Sequence, residues 1–393
     1  MVQDQHQLSG FLATTLPKVL LALGAVFSVI AFFIFKQDPK MFYFSYLTVF
    51  AFFLSITLGS LFFVILFRLV RAGWSVSLRR IPELFTKNFV FLALCFIPLL
   101  LGMHELYHWA AHHGGHDAIL VAKAPYLNVP FFIVRLFFYF GTWIVLGHLF
   151  YKHSVQQDST GDLQHSLALQ KYSTFGVLLF AITITFSSID WIMSVTPHWY
   201  STMFGVQFFA GSAVASLATI SLVALVLRRF GFLTHVIKVD HFHDLGKLIY
   251  GFNVFWAYVT FSQYFLIWYA NIPEETMWYL QHFAGKWHYF GWIIPLSHFA
   301  FPFLAFMSRH AKRNLPFHAF MMVWFLVVHF VDLYWIIMPN ALPSGPHFGV
   351  REVVLILAMG GLYLGLFFNR MKSVSLYPVK DPRLDESLRL EVM

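Results

Sequence analysis

The chain has 393 residues, 59% of them hydrophobic, 20% aromatic and only 11% charged, with a mean hydropathy of +0.68. Soluble domains carry about 25% charged residues, so this composition excludes an ordinary water-soluble fold and requires lipid around the outer helix faces. The net charge of +8 is no nucleic-acid signature, because the basic residues lie in the loops between apolar runs, where headgroups and topology account for them.

In chain order, the start MVQDQHQLSG is polar, and the first apolar run lacks a small-residue cleavage site with a mature domain behind it. It reads as a membrane anchor rather than a cleavable signal. A span needs about 20 apolar residues. Ten segments qualify, at approximately 17–35, 41–70, 89–110, 130–151, 172–193, 201–229, 246–270, 286–308, 315–337 and 349–368. The second and sixth exceed the hydrocarbon thickness, so they tilt or protrude. The longest expected loops, around 111–129 and 152–171, leave no room for a second soluble domain. The fold class is an all-α integral membrane protein of about ten transmembrane helices in one domain, and any partner domain comes from another chain.

Basic residues give the expected orientation. The N-terminus, the loops after spans 2, 4, 6 and 8, and the C-terminal tail hold 20 of the 26 Lys and Arg, against five on the other side and Arg135 inside span 4. The positive-inside rule then makes both termini cytoplasmic. A short internal echo accompanies this pattern. Span 5 ends Asp190-Trp191-Ile192-Met193 with Pro197 following, and span 9 ends Asp332-Leu333-Tyr334-Trp335-Ile336-Ile337-Met338-Pro339.

Cys95 is the single cysteine, which excludes an intrachain disulfide, a Cys-ligated iron–sulfur cluster and c-type haem attachment in this chain. Chemistry must come from other groups. Ionisable side chains inside a span cost about 2.5–3.5 kcal/mol each on insertion scales. Here they fall toward one side: His104, Glu105 and His108 on span 3, Arg135 on span 4, Asp190 on span 5, and His329 and Asp332 on span 9, with His298 near the middle of span 8. The plain structural reading is interfacial ion pairing, for example of Arg135 with Glu105 or Asp190.

Sharper readings compete. His104-Glu105-Leu106-Tyr107-His108 matches HExxH, which on a helix sets two imidazoles on one face for zinc with Glu as general base. Asp190 or Asp332 would be the third ligand of an intramembrane metal-dependent hydrolase. His108, His112, His113 and His116 resemble one box of a membrane di-iron enzyme, but His241-Phe242-His243 is the sole further cluster and the charge count puts it on the opposite side. A b-type haem needs facing axial histidines, and His148, His298 and His329 form no evident pair. The remaining reading is quinol and proton chemistry without a metal. A quinol needs an apolar pocket and an acceptor at each hydroxyl, and Tyr107, Tyr139, Trp191 and Tyr334 stand near the acids and histidines that would supply them. With no redox cofactor in the chain, electrons would leave to a partner. Ser55, Thr57, Ser60, His148, Thr183, Thr185, Asn253, Thr260 and Gln263 are expected to reach inward from the cytoplasmic half, as water carriers or as ordinary interhelical hydrogen bonders.

Three stretches carry a family resemblance: Phe186-Ser-Ser-Ile-Asp-Trp-Ile-Met-Ser-Val-Thr-Pro-His-Trp-Tyr200 with Gly205 and Gln207; Asp244-Leu-Gly-Lys-Leu248 followed by Phe255-Trp-Ala-Tyr258 and Phe261-Ser-Gln-Tyr-Phe-Leu-Ile-Trp-Tyr-Ala-Asn-Ile-Pro-Glu-Glu275; and Trp287-His-Tyr289. With ten spans and acids at the outer ends, the chain resembles the NrfD/PsrC-like membrane subunits of polysulfide reductase, and more closely the ActF-type subunits of alternative complex III, a quinol:electron-acceptor oxidoreductase of many bacteria. The resemblance implies two four-helix bundles, about 41–193 and 201–337, with flanking helices at about 17–35 and 349–368. It implies a bacterial inner-membrane complex whose periplasmic haem c and iron–sulfur subunits take electrons from menaquinol or ubiquinol and pass them to a cytochrome c or an oxidase. A second, related membrane subunit of the ActC type is the better place for the active quinol site. Carried onto this chain are Asp190 and Asp332 as proton acceptors or relays, with His104, Glu105 and His329 as neighbours. His108 is carried by position alone, and no metal is implied.

Overall fold

A computed structural model of the chain describes residues 6–111 and 117–391. Among them the structure is helical, apart from an isolated bridge between Gln7 and Ser375. Eight helices are long and apolar enough to cross a membrane, which makes this a multi-pass membrane architecture.

The long helical runs are α1 (Leu16–Gln37), α2 (Pro39–Leu69), α3 (Arg80–Leu101, broken into turns), α4 (Val129–Thr160), α5 (Leu163–Trp191), α6 (Phe204–Arg229), α7 (Val239–Ala270), α8 (His288–Ile294, a π-helical turn Pro295–Ala300, and Phe301–Ala305), α9 (Leu315–Ile337) and α10 (Val350–Met371). Local chemistry starts several of them. Asp38, Asn128 and Asn314 each accept a backbone N–H from the first turn, with Pro39, Pro130 and Pro316 inside it, where the missing proline N–H costs nothing.

Two expected spans fall outside the eight. Helix α7 carries Asn253, Gln263 and several Tyr and Trp, which lower its hydropathy, and α8 is interrupted by its π-turn. The expected loop 152–171 is also corrected. Helices α4 and α5 continue through it and meet at Gly161, which caps α4 with φ of +70°. The apolar signal stops at the lipid boundary, whereas helix hydrogen bonding runs on past it.

Helices α2 and α6 form the spine. In each, 83% of the most apolar window is buried, against 11% in α1. They cross closely at Gly59, where a Cβ would stand 2.2 Å from the Ser212 carbonyl oxygen. Ser60 and Ser216 hydrogen-bond beside the crossing at 3.0 Å. Small residues permit such backbone approach in lipid, where no hydrophobic force drives helices together. Helices α3, α5 and α10 pack on α2; α5, α7 and α9 pack on α6; α4 packs on α5. Helix α1 packs on α10 with Gly24 against Gly361. The two terminal segments also meet, through Leu376 N–H to His6 O at 2.8 Å.

Candidate functional site

The expected single cluster of acids, imidazoles and guanidinium separates into two buried sites, one on α4 and α5 and one on α7, α8 and α9. His104, Glu105 and His108 of the span 3 motif join neither. Helix formation stops at Tyr107, whose backbone is extended (φ −115°, ψ 108°), so His104 and His108 do not share a continuous helix face. His104, Glu105 and His108 are exposed, and His104 Nδ1 hydrogen-bonds the Ala110 carbonyl at 3.1 Å. This removes the geometry that HExxH zinc binding needs, and it separates these residues from their expected place beside Asp190 and Asp332. The buried Tyr107 donates to the Trp191 carbonyl at 3.0 Å. His148 is exposed beside Lys87, and Tyr334 accepts the His347 N–H at 3.3 Å. His112, His113 and His116 lie outside the described residues.

Asp190 is saturated. Arg135 donates Nε to Oδ2 at 2.6 Å and Nη2 to Oδ1 at 3.1 Å. Tyr139 adds its hydroxyl to Oδ2 at 2.7 Å. The guanidinium is itself held, by the Tyr126 carbonyl at 2.9 Å and by the Tyr126 and Phe131 ring faces at 4.0 and 4.4 Å. A carboxylate in a forked arginine pair is bound in its charged form.

Asp332 has the opposite surroundings. The Trp256 indole donates to Oδ2 at 3.2 Å, and Oδ1 has no hydrogen-bond partner among the described residues. His329 is one turn before it, and His298 faces it from the π-turn of α8, a type of irregularity frequent at functional sites. Proton positions on both rings follow from their partners. Ser55 donates its one hydrogen to the Phe52 carbonyl at 2.7 Å, so His329 Nε2–H donates to Ser55 Oγ at 2.9 Å and Nδ1 is left bare. His298 Nδ1–H donates to Asn253 Oδ1 at 2.9 Å, leaving Nε2 bare. Trp256 stacks on His298 with centroids 3.7 Å apart and fixes its plane. The ligand-type atoms of His298, His329 and Asp332 lie within 4.8 Å of one another. Three residues, each with one acceptor atom lacking a hydrogen-bond partner among the described residues, thus share one buried group, and each orphaned polar atom costs about 1–3 kcal/mol. A shared proton, a water or a cation resolves it.

Beside this trio is a cavity of about 10 Å³, with His329, Asp332 and Gln207 among its walls. That is about the room one water needs. Gln207 Oε1 accepts from Gln263 Nε2 at 3.3 Å, and Gln263 Oε1 accepts the Ser201 hydroxyl at 2.8 Å. Gln263 therefore serves the end of the bundle near the loop after α5, not the opposite half as the sequence suggested. A second cavity of about 10 Å³ lies toward Trp191, Ser187 and Ser188, and Ile192 and Phe208 form walls of both. Neither cavity has room for a quinol ring. A groove of about 370 Å³ does, but it lies between α1, α2, α3 and α10, lined by Phe35, Tyr43, Tyr46 and Cys95, and neither acid is among its walls.

Sequence reasoning named every member of the trio but missed its separation from Asp190, and it read Gln207 only as part of a motif. The i, i+3 spacing of His329 and Asp332 on α9 was the available signal for their pairing. No protein-family model matches the chain, and no curated protein matches it at a significant level.

Proposed function

We propose that this chain is a proton-conducting membrane subunit of a bacterial quinol:electron-acceptor oxidoreductase of the alternative complex III type. On this reading it has ten spans in two four-helix bundles, lies in the inner membrane, and keeps both termini cytoplasmic. The three sequence stretches quoted above support the family. The observation that carries proton conduction is the buried group of His298, His329 and Asp332, each with an acceptor atom lacking a hydrogen-bond partner among the described residues, with a one-water cavity beside it. An excess proton there is shared between Asp332 Oδ1 and a bare imidazole nitrogen. Gln207, Gln263 and Ser201 order the way out. Menaquinol or ubiquinol would be oxidised on the related membrane subunit, because the cavity at Asp332 fits water and not a ring. Electrons would pass to the haem c and iron–sulfur subunits, and the isolated chain would have no complete activity.

Asp332→Asn in the intact complex tests this. The amide keeps the Trp256 contact but cannot take up the proton, so turnover-linked proton release should fall about 10²-fold, the scale of a lost proton-transfer group. Unchanged oxidation and unchanged release would leave a purely structural subunit. A second reading has its own observation: two imidazoles and one carboxylate, each with an outer hydrogen-bond partner, also form a metal-type donor set. The metal-dependent hydrolase alternative would move here from His104 and His108. Stoichiometric zinc or iron in purified protein, lost in His329→Ala, would replace the proton reading.

A further inference from the structure

At the basic end of the bundle, away from both acids, five arginines gather where α2 ends, α3 and α5 begin and the C-terminal tail returns. Asp381 of the tail binds Arg68 at 2.8 Å and Arg79 at 3.0 Å. Glu83 stands 3.6 Å from Arg68 and 3.3 Å from Arg80, and Asp158 takes Arg80 at 2.5 Å. Glu386 pairs with Arg383 at 2.7 Å. Five guanidiniums thus meet four carboxylates. Arg71 is the one with no carboxylate pair among the described residues; its Nη2 reaches only Gln170 Oε1, at 3.3 Å. Arg68 Nη2 is buried and makes no hydrogen bond. Burial, and then the neighbouring Arg68, hold the Arg79 guanidinium at about 9, well below its ordinary value. The cluster is short of negative charge.

Arg68, Arg71, Arg79 and Arg383 also line an open cavity of about 510 Å³, within the range of about 300–1,000 Å³ that holds small ligands. Asp381, held by Arg68 and Arg79, lines it too, with Ser166 and Gln170, and the rest of its wall is apolar. Val70 and Leu167 are 59% and 57% exposed at the ends of their spans, and Phe67 lies behind them. Cationic groups on one wall and lipid-facing aliphatic groups on the other suit a molecule with an anionic head and apolar tails.

We propose that this cavity binds the phosphodiester headgroup of an anionic phospholipid, with Arg71 as its principal contact and the acyl chains along Val70 and Leu167. The surplus is a single positive charge, which a phosphodiester balances and a doubly charged free phosphate exceeds. The site stands independently of the function proposed above, since it shares no residue with the trio.

The test is native mass spectrometry of the full-length chain in mild detergent, titrated with phosphatidylglycerol, phosphatidylcholine or inorganic phosphate. Phosphatidylglycerol should bind more tightly than phosphatidylcholine. Arg71→Gln should weaken it about fivefold, which corresponds to about 1 kcal/mol for one basic residue at a membrane surface. Arg229→Gln, at the same end but outside the cavity, should change nothing. Should Arg71→Gln not yield folded protein, raising the salt on the unsubstituted chain gives the same readout, because screening must erase the preference. Equal binding of the two lipids, or equal effects of Arg71→Gln and Arg229→Gln, would overturn the site. Displacement of phosphatidylglycerol by inorganic phosphate at comparable concentration would overturn the lipid as its occupant.

Discussion

Asp190 and Asp332 stand near the same ends of two helices with echoing sequences, and one group separates their chemistry. Asp190 has Arg135 beside it and Tyr139 on the same oxygen. Asp332 has no cation, two imidazoles presenting bare nitrogens, and a single indole donor. The first carboxylate is held by its partners and holds them in turn. The second is left with an acceptor that no described residue satisfies. A matching sequence position therefore does not give a matching role; the side chain from the neighbouring helix decides it.

The contrast can be broken most directly by Asp190→Ala. It leaves Arg135 charged and buried, and losing one partner of a buried pair costs about 3–5 kcal/mol. Thermal unfolding in detergent should show a large loss of stability, and a loss equal to that of Asp332→Ala would erase the distinction. Next in size is Tyr139→Phe, which removes one hydrogen bond to a charged acceptor and should cost about 1.5–3 kcal/mol without touching the trio. Gly211→Ala sharpens the other side. Its Cβ would stand 2.7 Å from His329 Cε1 and 2.9 Å from Nδ1, so the ring must leave Ser55. The expected destabilisation is about 1–3 kcal/mol, with proton release lost while the Arg135–Asp190 pair is unaltered.

The smallest effect is at the opposite end. Burial pushes the Asp381 carboxyl up, but Arg68 and Arg79 outweigh it and hold it below the ordinary carboxylate range. A carboxyl depressed by folding stabilises the fold above its unfolded value, about 3.9, and loses that contribution as pH falls through the lower folded value. Hydrogen-exchange protection of the tail helix Leu384–Leu388 should be flat from about pH 7 to 5 and decline below about pH 4. Decline near pH 6 would contradict the assignment to Asp381.

Apolar run length was enough to find the eight long apolar helices, since lipid imposes it directly. It failed at the polar ends, where α4 and α5 continue to Thr160 and from Leu163, and at Tyr107, where the backbone turns out of the helix. The Arg135–Asp190 pair was one of the readings the charges allowed. The grouping of His298 with His329 and Asp332 was not readable, because it depends on a π-turn that re-aims one side chain of α8 and on the phase of three helices about their axes.

The shared walls of the two small cavities have a further consequence. Water chains, not fixed charges, carry protons through an apolar interior, and here each chamber has room for about one molecule. The chamber of Asp332 and the one at Trp191 share the hydrocarbon side chains of Ile192 and Phe208 as walls. The separation of the two chambers is therefore steric: the rotamers of two uncharged residues set whether they open to each other and are wetted together.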